Sequence, residues 1–261
     1  MSAAAIVFDH VSKNYGETEV LKDFSLEVIR GEIITMIGRS GCGKTTALKL
    51  VNGLIKPDLG DVYVDGQRVA ACDNTMLRRN IGYVIQGVGL FPHMTVGKNI
   101  AYVPSLTQKW DRETEKAETA RLLSIVGLEP ALAVRYPSEL SGGQRQRIGI
   151  ARAIAAQPDI LLMDEPFGAV DEITRRALQD ELLYLHKELN LTILFVTHDI
   201  DEALKLGTRI LVMDEGHALQ IGTANEITNA PANEFVRELA AVTHCKVCSV
   251  SYCSPSHRLQ F

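Results

Sequence analysis

The most explicit chemistry in this chain lies in one short stretch. Gly38-Arg39-Ser40-Gly41-Cys42-Gly43-Lys44-Thr45-Thr46 fits G-x-x-x-x-G-K-[ST] at every fixed position. Glycines let a backbone curl so that successive N–H groups point at phosphate oxygens. A helix opening at that point adds positive potential for the same anion. Lys44 supplies a cation for β- and γ-phosphates, and Thr45 a hydroxyl for Mg²⁺. The bland alternative is a glycine-rich turn with a chance lysine. The apolar run Ile33 to Ile37 before it and the helical pattern Ala47, Leu48, Leu50, Val51 after it argue for the phosphate loop instead.

A second apolar run, Ile160-Leu161-Leu162-Met163, ends in Asp164 and Glu165. A parallel strand beside the first would bring Asp164 to the Mg²⁺ side of the phosphates, at the carboxyl edge where such sheets bind ligands. Asp164 would hold the metal through water. Glu165 would face the γ-phosphate and accept a proton from the attacking water. Strand ends with two solvated acids are common, so the pair gains its force from the phosphate loop.

Leu140-Ser141-Gly142-Gly143-Gln144 carries the S-x-x-Q of a capping box, which places a helix start at Ser141. Two glycines there expose backbone N–H groups and make a second anion site. It falls roughly a hundred residues after the phosphate loop, inside a helical stretch. The expectation is that it does not reach phosphates bound by its own subunit. A plain capped helix is the local alternative.

The elements that must position these residues alternate between strand-like and helical patterns, which reads as α/β. Val20 to Arg30 has apolar residues at Phe24, Leu26 and Val28, the period of a half-buried strand. Ile33 to Ile37, Ile160 to Met163, Ile193 to Val196 and Ile210 to Met213 read as buried strands. Gly53, Pro57, Gly60 and Gly66 punctuate a loop and hairpin region. From about Pro92 to Ala156 no buried strand is evident. Arg112 to Val126 and Ser141 to Ala156 are helical, so a helical lobe interrupts the α/β core. After about Ala241 periodicity fades, and His244 to Phe261 reads as loop.

At 261 residues the chain can bury a sizeable core, and 46% hydrophobic with 23% charged residues argues against intrinsic disorder. Lys plus Arg total 27 against 32 Asp plus Glu, so no basic excess announces a nucleic-acid partner. Met1 to Phe8 carries no Lys or Arg and no signal-peptide core, and no apolar run approaches the ~18 residues of a membrane helix. The protein is expected to be soluble by itself, or peripheral to a membrane through a partner. Five cysteines, an odd number, do not suit a disulfide scaffold at this length and suggest a reducing, intracellular setting.

From Tyr15 to His198 the motifs and their order resemble the nucleotide-binding subunit of ABC transporters, whose signature is LSGGQ; the likeness covers about residues 5–240. It implies a P-loop NTPase (RecA-like) α/β core with a parallel-sheet centre, an antiparallel β subdomain and an inserted α-helical subdomain. The core would occupy about 1–90 and 157–241, the helical part about 91–156, and a flexible tail 242–261.

The resemblance further implies two subunits facing head to tail around two ATP molecules. Ser141, Gly142, Gly143 and Gln144 of one subunit would close on the ATP held by residues 38–46 of the other. Tyr15 stands where an aromatic stacks on adenine, a contact worth about 1–3 kcal/mol and tolerant of any base. Gln86 matches the glutamine that touches Mg²⁺ or the attacking water and links the site to the helical lobe. His198 matches the histidine that bonds the γ-phosphate and orients Glu165. Gly168-Ala169-Val170-Asp171 matches the turn whose aspartate lies at the dimer seam; Val170 replaces the more usual leucine, a volume-similar change. Cys42 reads as a small residue fitting a tight turn, not a nucleophile. The catalytic set is thus Glu165, His198 and Gln86, with Thr45, Gln86 and Asp164 for Mg²⁺.

Leu77 to Gln86, Gly89 to Val96, Asp164 to Ala169, Asp201 to Leu206 and Pro231 to Val236 resemble one branch in particular. It comprises the ATPases of bacterial importers for quaternary-amine osmoprotectants such as glycine betaine, choline, carnitine or proline betaine. That likeness implies an integral-membrane permease, an extracytoplasmic solute-binding protein and a place on the cytoplasmic face of the inner membrane. Phe91, Pro92, His93 and Met94 would meet a membrane-domain helix, an exposed Phe and Met serving as apolar anchor, with core packing as the alternative. Two departures stand out. The branch commonly continues into a paired regulatory module, which a chain stopping at Phe261 is too short to hold, so ionic-strength sensing by it is expected to be absent. Gly87 replaces a frequent second glutamine, with no mechanism attached.

Two alternatives share these motifs: an importer for another small solute such as an amino acid, and a soluble ABC ATPase of DNA repair or translation. The latter usually brings coiled-coil insertions, zinc modules or paired cassettes, which the sequence lacks. A non-hydrolysing cassette would be expected to lose Glu165 or His198, and both are present. The tail, with His244, Cys245, Cys248, Cys253 and His257, has enough soft ligands for zinc, but its spacing matches no closed site and reads as a flexible reduced segment.

Overall fold

The computed structural model describes residues 4–248 except 88, 108, 109 and 169, with the backbone alone at 242–248. The first half runs β1 (Ala4–Tyr15), β2 (Thr18–Ile29), β3 (Ile33–Gly38), α1 (Lys44–Val51), β4 (Leu59–Val64), β5 (Gln67–Arg68), α2 (Asn74–Asn80), β6 (Ile81–Val84), α3 (Val96–Leu106) and α4 (Arg112–Ile125). The second runs α5 (Gly142–Ile154), β7 (Ile160–Asp164), α6 (Glu172–Leu189), β8 (Thr192–Val196), α7 (Ile200–Leu206), β9 (Arg209–Asp214), β10 (His217–Gly222), α8 (Ala224–Asn229) and α9 (Glu234–Cys248).

Two sheets organise these elements. The smaller is antiparallel, in the order β2-β1-β4-β5. The larger has the order β10-β9-β3-β8-β7-β6, parallel except where β10 returns against β9. The continuous apolar runs of β3, β7 and β8 are explained by cover on both faces. Ile33, Leu161, Met163, Ile193 and Phe195 face a core shared with α3, α4, α5 and α6. Their neighbours Ile34, Met36, Leu162, Leu194 and Val196 face a second core, built with α1 and the antiparallel sheet. One strand pitch thus sorts alternate residues into two cores, and each fully buried Leu, Ile or Phe contributes about 1.5–3 kcal/mol.

Between residues 91 and 156 the described residues form helices and no strand. The structure differs from the sequence reading at three points. First, β7 is not beside β3: β8 lies between them, pairing with both. Strand order in a parallel sheet is set by crossovers, which local periodicity does not encode. Second, the chain opens with the twelve-residue strand β1, unread because Asp9, His10, Ser12, Lys13 and Asn14 break its alternation; the register against β2 shifts in the same stretch. Third, α9 continues to Cys248, past the point where loop was expected at His244. No Gly or Pro interrupts residues 234–248, so nothing in the sequence stops that helix. The side chains of His244, Cys245 and Cys248, and all of Cys253 and His257, lie outside the described residues.

Candidate active site

The turn from β3 into α1 is built on glycines that no other residue can replace. Gly38 and Gly43 have φ of 155° and 106°. A Cβ on Gly38 would stand 2.0 Å from the Met213 carbonyl oxygen, and one on Gly43 2.7 Å from that of Val20. The loop folds around Lys44, whose ammonium is buried and donates to the carbonyls of Gly38 (2.7 Å) and Arg39 (2.9 Å). Cys42 lies beneath it, 4% exposed, and burial pushes its thiol pKa up, which disfavours the nucleophilic thiolate.

This loop floors a cavity of about 330 Å³ that brings together Tyr15, Ser40, Gly41, Gly43 to Thr46, Gln86 and Glu165 from distant parts of the chain. Val20, which the sequence did not single out, lines it too. Its only signal was an apolar residue near the start of β2. Tyr15 is 48% exposed, as a ring that must receive a flat ligand would be. Arg39 does not line the cavity. Its guanidinium lies 4.6 Å from the Phe235 ring at the start of α9 and 3.3 Å from Asp214.

Asp164 ends β7 almost wholly buried, and the Thr45 hydroxyl donates to its Oδ1 at 3.1 Å. Although β8 intervenes, α1 crosses toward β7 and closes the distance. Burial is the main cause that raises the Asp164 pKa, with the neighbouring Glu165 charge adding to it and the Thr45 bond opposing it. The oxygen donors here are Thr45 Oγ1, the Asp164 carboxylate and the Gln86 carbonyl, left over because Gln86 Nε2 donates elsewhere. A sparse, all-oxygen set fits Mg²⁺, a hard cation that keeps most of its waters.

Glu165 occupies a strained position. Its φ is 47°, a left-handed conformation that costs a non-glycine residue about 1–2 kcal/mol. Its N–H is pinned to the Val196 carbonyl at 3.0 Å. The outcome is a side chain whose Oε2 accepts from Gln86 Nε2 at 3.1 Å and lies 3.5 Å from His198 Nδ1. Residues from three strand ends, β6, β7 and β8, therefore converge on one carboxylate oxygen.

Ser141 caps α5 as read: the Gln144 N–H donates to Ser141 Oγ at 3.2 Å, and the Ser141 N–H to Gln144 Oε1 at 3.0 Å. Asp171 caps α6 by accepting from the Thr174 N–H at 3.0 Å, which lowers its pKa. Neither Ser141 to Gln144 nor Asp171 lines the phosphate-loop cavity. In the helical lobe, Phe91 and Met94 are half-buried rather than exposed, while Pro92 and His93 are exposed. The cause is Asn99, itself buried, which donates to the carbonyls of Phe91, Met94 and Thr95, while the Phe91 ring lies 4.8 Å from that of Tyr102.

Comparison with known proteins places this arrangement. The sequence family described as ABC transporter matches residues 21–168. The Bacillus subtilis glycine betaine/carnitine/choline transport ATP-binding protein OpuCA is 52% identical over 231 residues, 88% of this chain and 60% of that protein. The choline transport ATP-binding protein OpuBA of the same organism is 50% identical over 89% of this chain and 61% of its own length. The chain thus spans about six tenths of these relatives. The Escherichia coli glycine betaine uptake system ATP-binding protein YehX is 47% identical, covering 89% of this chain and 75% of that protein. Among solved structures, the dimeric post-hydrolysis state of the ATP-binding cassette MJ0796 bound to ADP and Pi superposes with a TM-score of 0.77 at 33% identity, over 84% of this chain and 98% of that one. A phosphate loop in the cassette fold, a family match over more than half the sequence and a relative covered over three quarters of its length together establish that the chain belongs to the ABC transporter family.

Proposed function

We propose that this chain is the ATP-hydrolysing motor subunit of an ABC importer that takes up quaternary-amine osmoprotectants. The observation that carries hydrolysis is the bracketing of Glu165 by Gln86 and His198 beside the phosphate-loop cavity. The N–H groups of residues 38–46 and the Lys44 ammonium grip the triphosphate, and Lys44 exchanges its two carbonyl partners for phosphate oxygens. Tyr15 stacks on the adenine, with Val20 lining the same cavity. Glu165 takes the proton of the attacking water, while His198 donates to the γ-phosphate and holds Glu165 in line. Thr45, Gln86 and, through water, Asp164 would hold Mg²⁺, which would supply positive charge against the phosphates.

Ser141 to Gln144 and Asp171 belong, in this reading, to the nucleotide of a second copy. Their position outside the cavity of their own subunit supports this, as does the dimeric state of MJ0796. The ATPase domain spans 1–241, with core segments at about 1–90 and 157–241 and the helical part at about 91–156. A membrane permease docks near Phe91 to Met94, a solute-binding protein serves the same system, and the chain sits on the cytoplasmic face of the inner membrane. The solutes named for OpuCA, OpuBA and YehX support the solute class.

Two experiments test the proposal. Purified protein should hydrolyse ATP only with Mg²⁺, and a lack of turnover with its permease present would remove the motor assignment. Cells lacking this chain should lose uptake of labelled glycine betaine, choline or carnitine. Unchanged uptake of all three would remove the solute class.

A further inference from the structure

Arg175, on the second turn of α6, joins two turns that flank the site. Its Nη2 donates to the Val170 carbonyl at 3.1 Å, in the segment that follows Glu165. Its Nη1 lies 3.7 Å from Asp199 Oδ2, next to His198, and 3.4 Å from Glu172 Oε2. Asp199 in turn receives the Asp201 N–H at 2.9 Å as cap of α7, and its own N–H donates to Thr197 Oγ1 at 3.0 Å. Behind them, Gln179 on α6 donates to the buried Glu202 of α7 at 3.0 Å, so the two helices are tied at a second level. Glu165, Arg175, His198, Asp199 and Glu202 line one small cavity of about 40 Å³. The Arg175 Nε is buried there without a hydrogen-bond partner.

The His198 ring is itself largely exposed, and its Nδ1 lies 3.5 Å from Glu165 Oε2. Its place is therefore set by the backbone of residues 197–199 rather than by contacts of the ring. Asp199 anchors that backbone, and Arg175 links Asp199 to Val170, just ahead of α6. We propose that Arg175 is a positioning residue for His198, transmitting the seating of Val170 and Asp171 to the histidine through Asp199. This rests on the reading that His198 and Glu165 serve hydrolysis and that Asp171 lies at a seam between copies. Seating of Val170 and Asp171 by a second copy would then align the histidine, and an isolated subunit would hydrolyse poorly.

The test is a double-mutant cycle on the full chain, read by single-turnover hydrolysis of Mg-ATP with enzyme in excess. Arg175→Gln should lower the rate about tenfold or more, since small misplacements of a reacting group carry penalties of that size. KM for ATP should stay within about twofold, because Arg175 does not line the nucleotide cavity. Arg175→Lys, which keeps the cation but not the fork, should recover part of the loss. In a His198→Ala background, Arg175→Gln should add less than about twofold. Equal losses in both backgrounds would overturn the positioning role while leaving the hydrolytic assignment intact. A parent rate in His198→Ala would overturn that assignment and this inference with it. If Arg175→Gln does not fold, Asp199→Asn keeps the cap, drops the charge and must show the same non-additivity with His198→Ala.

Discussion

The Gln86 amide donates to Glu165 Oε2 at 3.1 Å across a sequence separation of 79 residues. That bond ties the end of β6, from which the chain enters the helical lobe, to the end of β7, where the acid pair stands. A shift of the helical lobe therefore pulls on the very oxygen that would receive a proton. The bond also fixes the amide orientation, leaving the Gln86 carbonyl for a cation.

Glu165→Gln should keep nucleotide binding and lower hydrolysis by about 10²–10⁴-fold, the usual contribution of a positioned general base. Size-exclusion chromatography with Mg-ATP should show the variant held as a dimer. Turnover at the parent rate would place the base elsewhere.

Lys44→Ala should act on affinity instead. Removing a charged donor forfeits about 1.5–3 kcal/mol, roughly a ten- to hundredfold weaker nucleotide by calorimetry. An unchanged dissociation constant would contradict the grip assigned to its ammonium.

Asp164→Asn should stabilise the fold while impairing Mg²⁺-dependent turnover. Burial raises the Asp164 pKa, so over the window from the usual carboxylate range up to the raised value the native state holds more protons than the unfolded one. Stability is therefore lost as pH rises through that window, and the loss persists above it. Asparagine has no such penalty. The gain in thermal midpoint should be absent at acid pH and grow toward neutrality; a gain independent of pH would contradict it.

Ser141→Ala removes the cap of α5, worth about 0.5–2 kcal/mol. Because Ser141 lies outside the phosphate-loop cavity, ATP affinity of the single subunit should not change. Nucleotide-dependent association, followed by light scattering, should weaken. Weaker binding to the isolated subunit with association intact would reverse the assignment.

The parts of this site that follow from adjacent residues were readable in the chain. The phosphate loop announces itself between an apolar run and a helix pattern, and Ser141 with Gln144 names its own helix start. What depends on the order of strands was not. Asp164 reaches Thr45 although β8 separates β7 from β3, because α1 packs against the faces of β3, β8 and β7 alike. Val20 enters the cavity through the antiparallel sheet, whose strand β1 is masked by polar residues in its bulged middle. The half-burial of Phe91 depends on Asn99, a polar residue with no periodic signal, turned inward to satisfy three carbonyls.

The left-handed backbone at Glu165 has a practical consequence for anyone evolving this protein. Glycine and asparagine fit that geometry more comfortably than glutamate. A library screened for heat resistance alone would drift toward them at this codon and return sturdy cassettes that no longer turn over. Durability and work pull in opposite directions at a single amino acid, so any such campaign must score activity in every round.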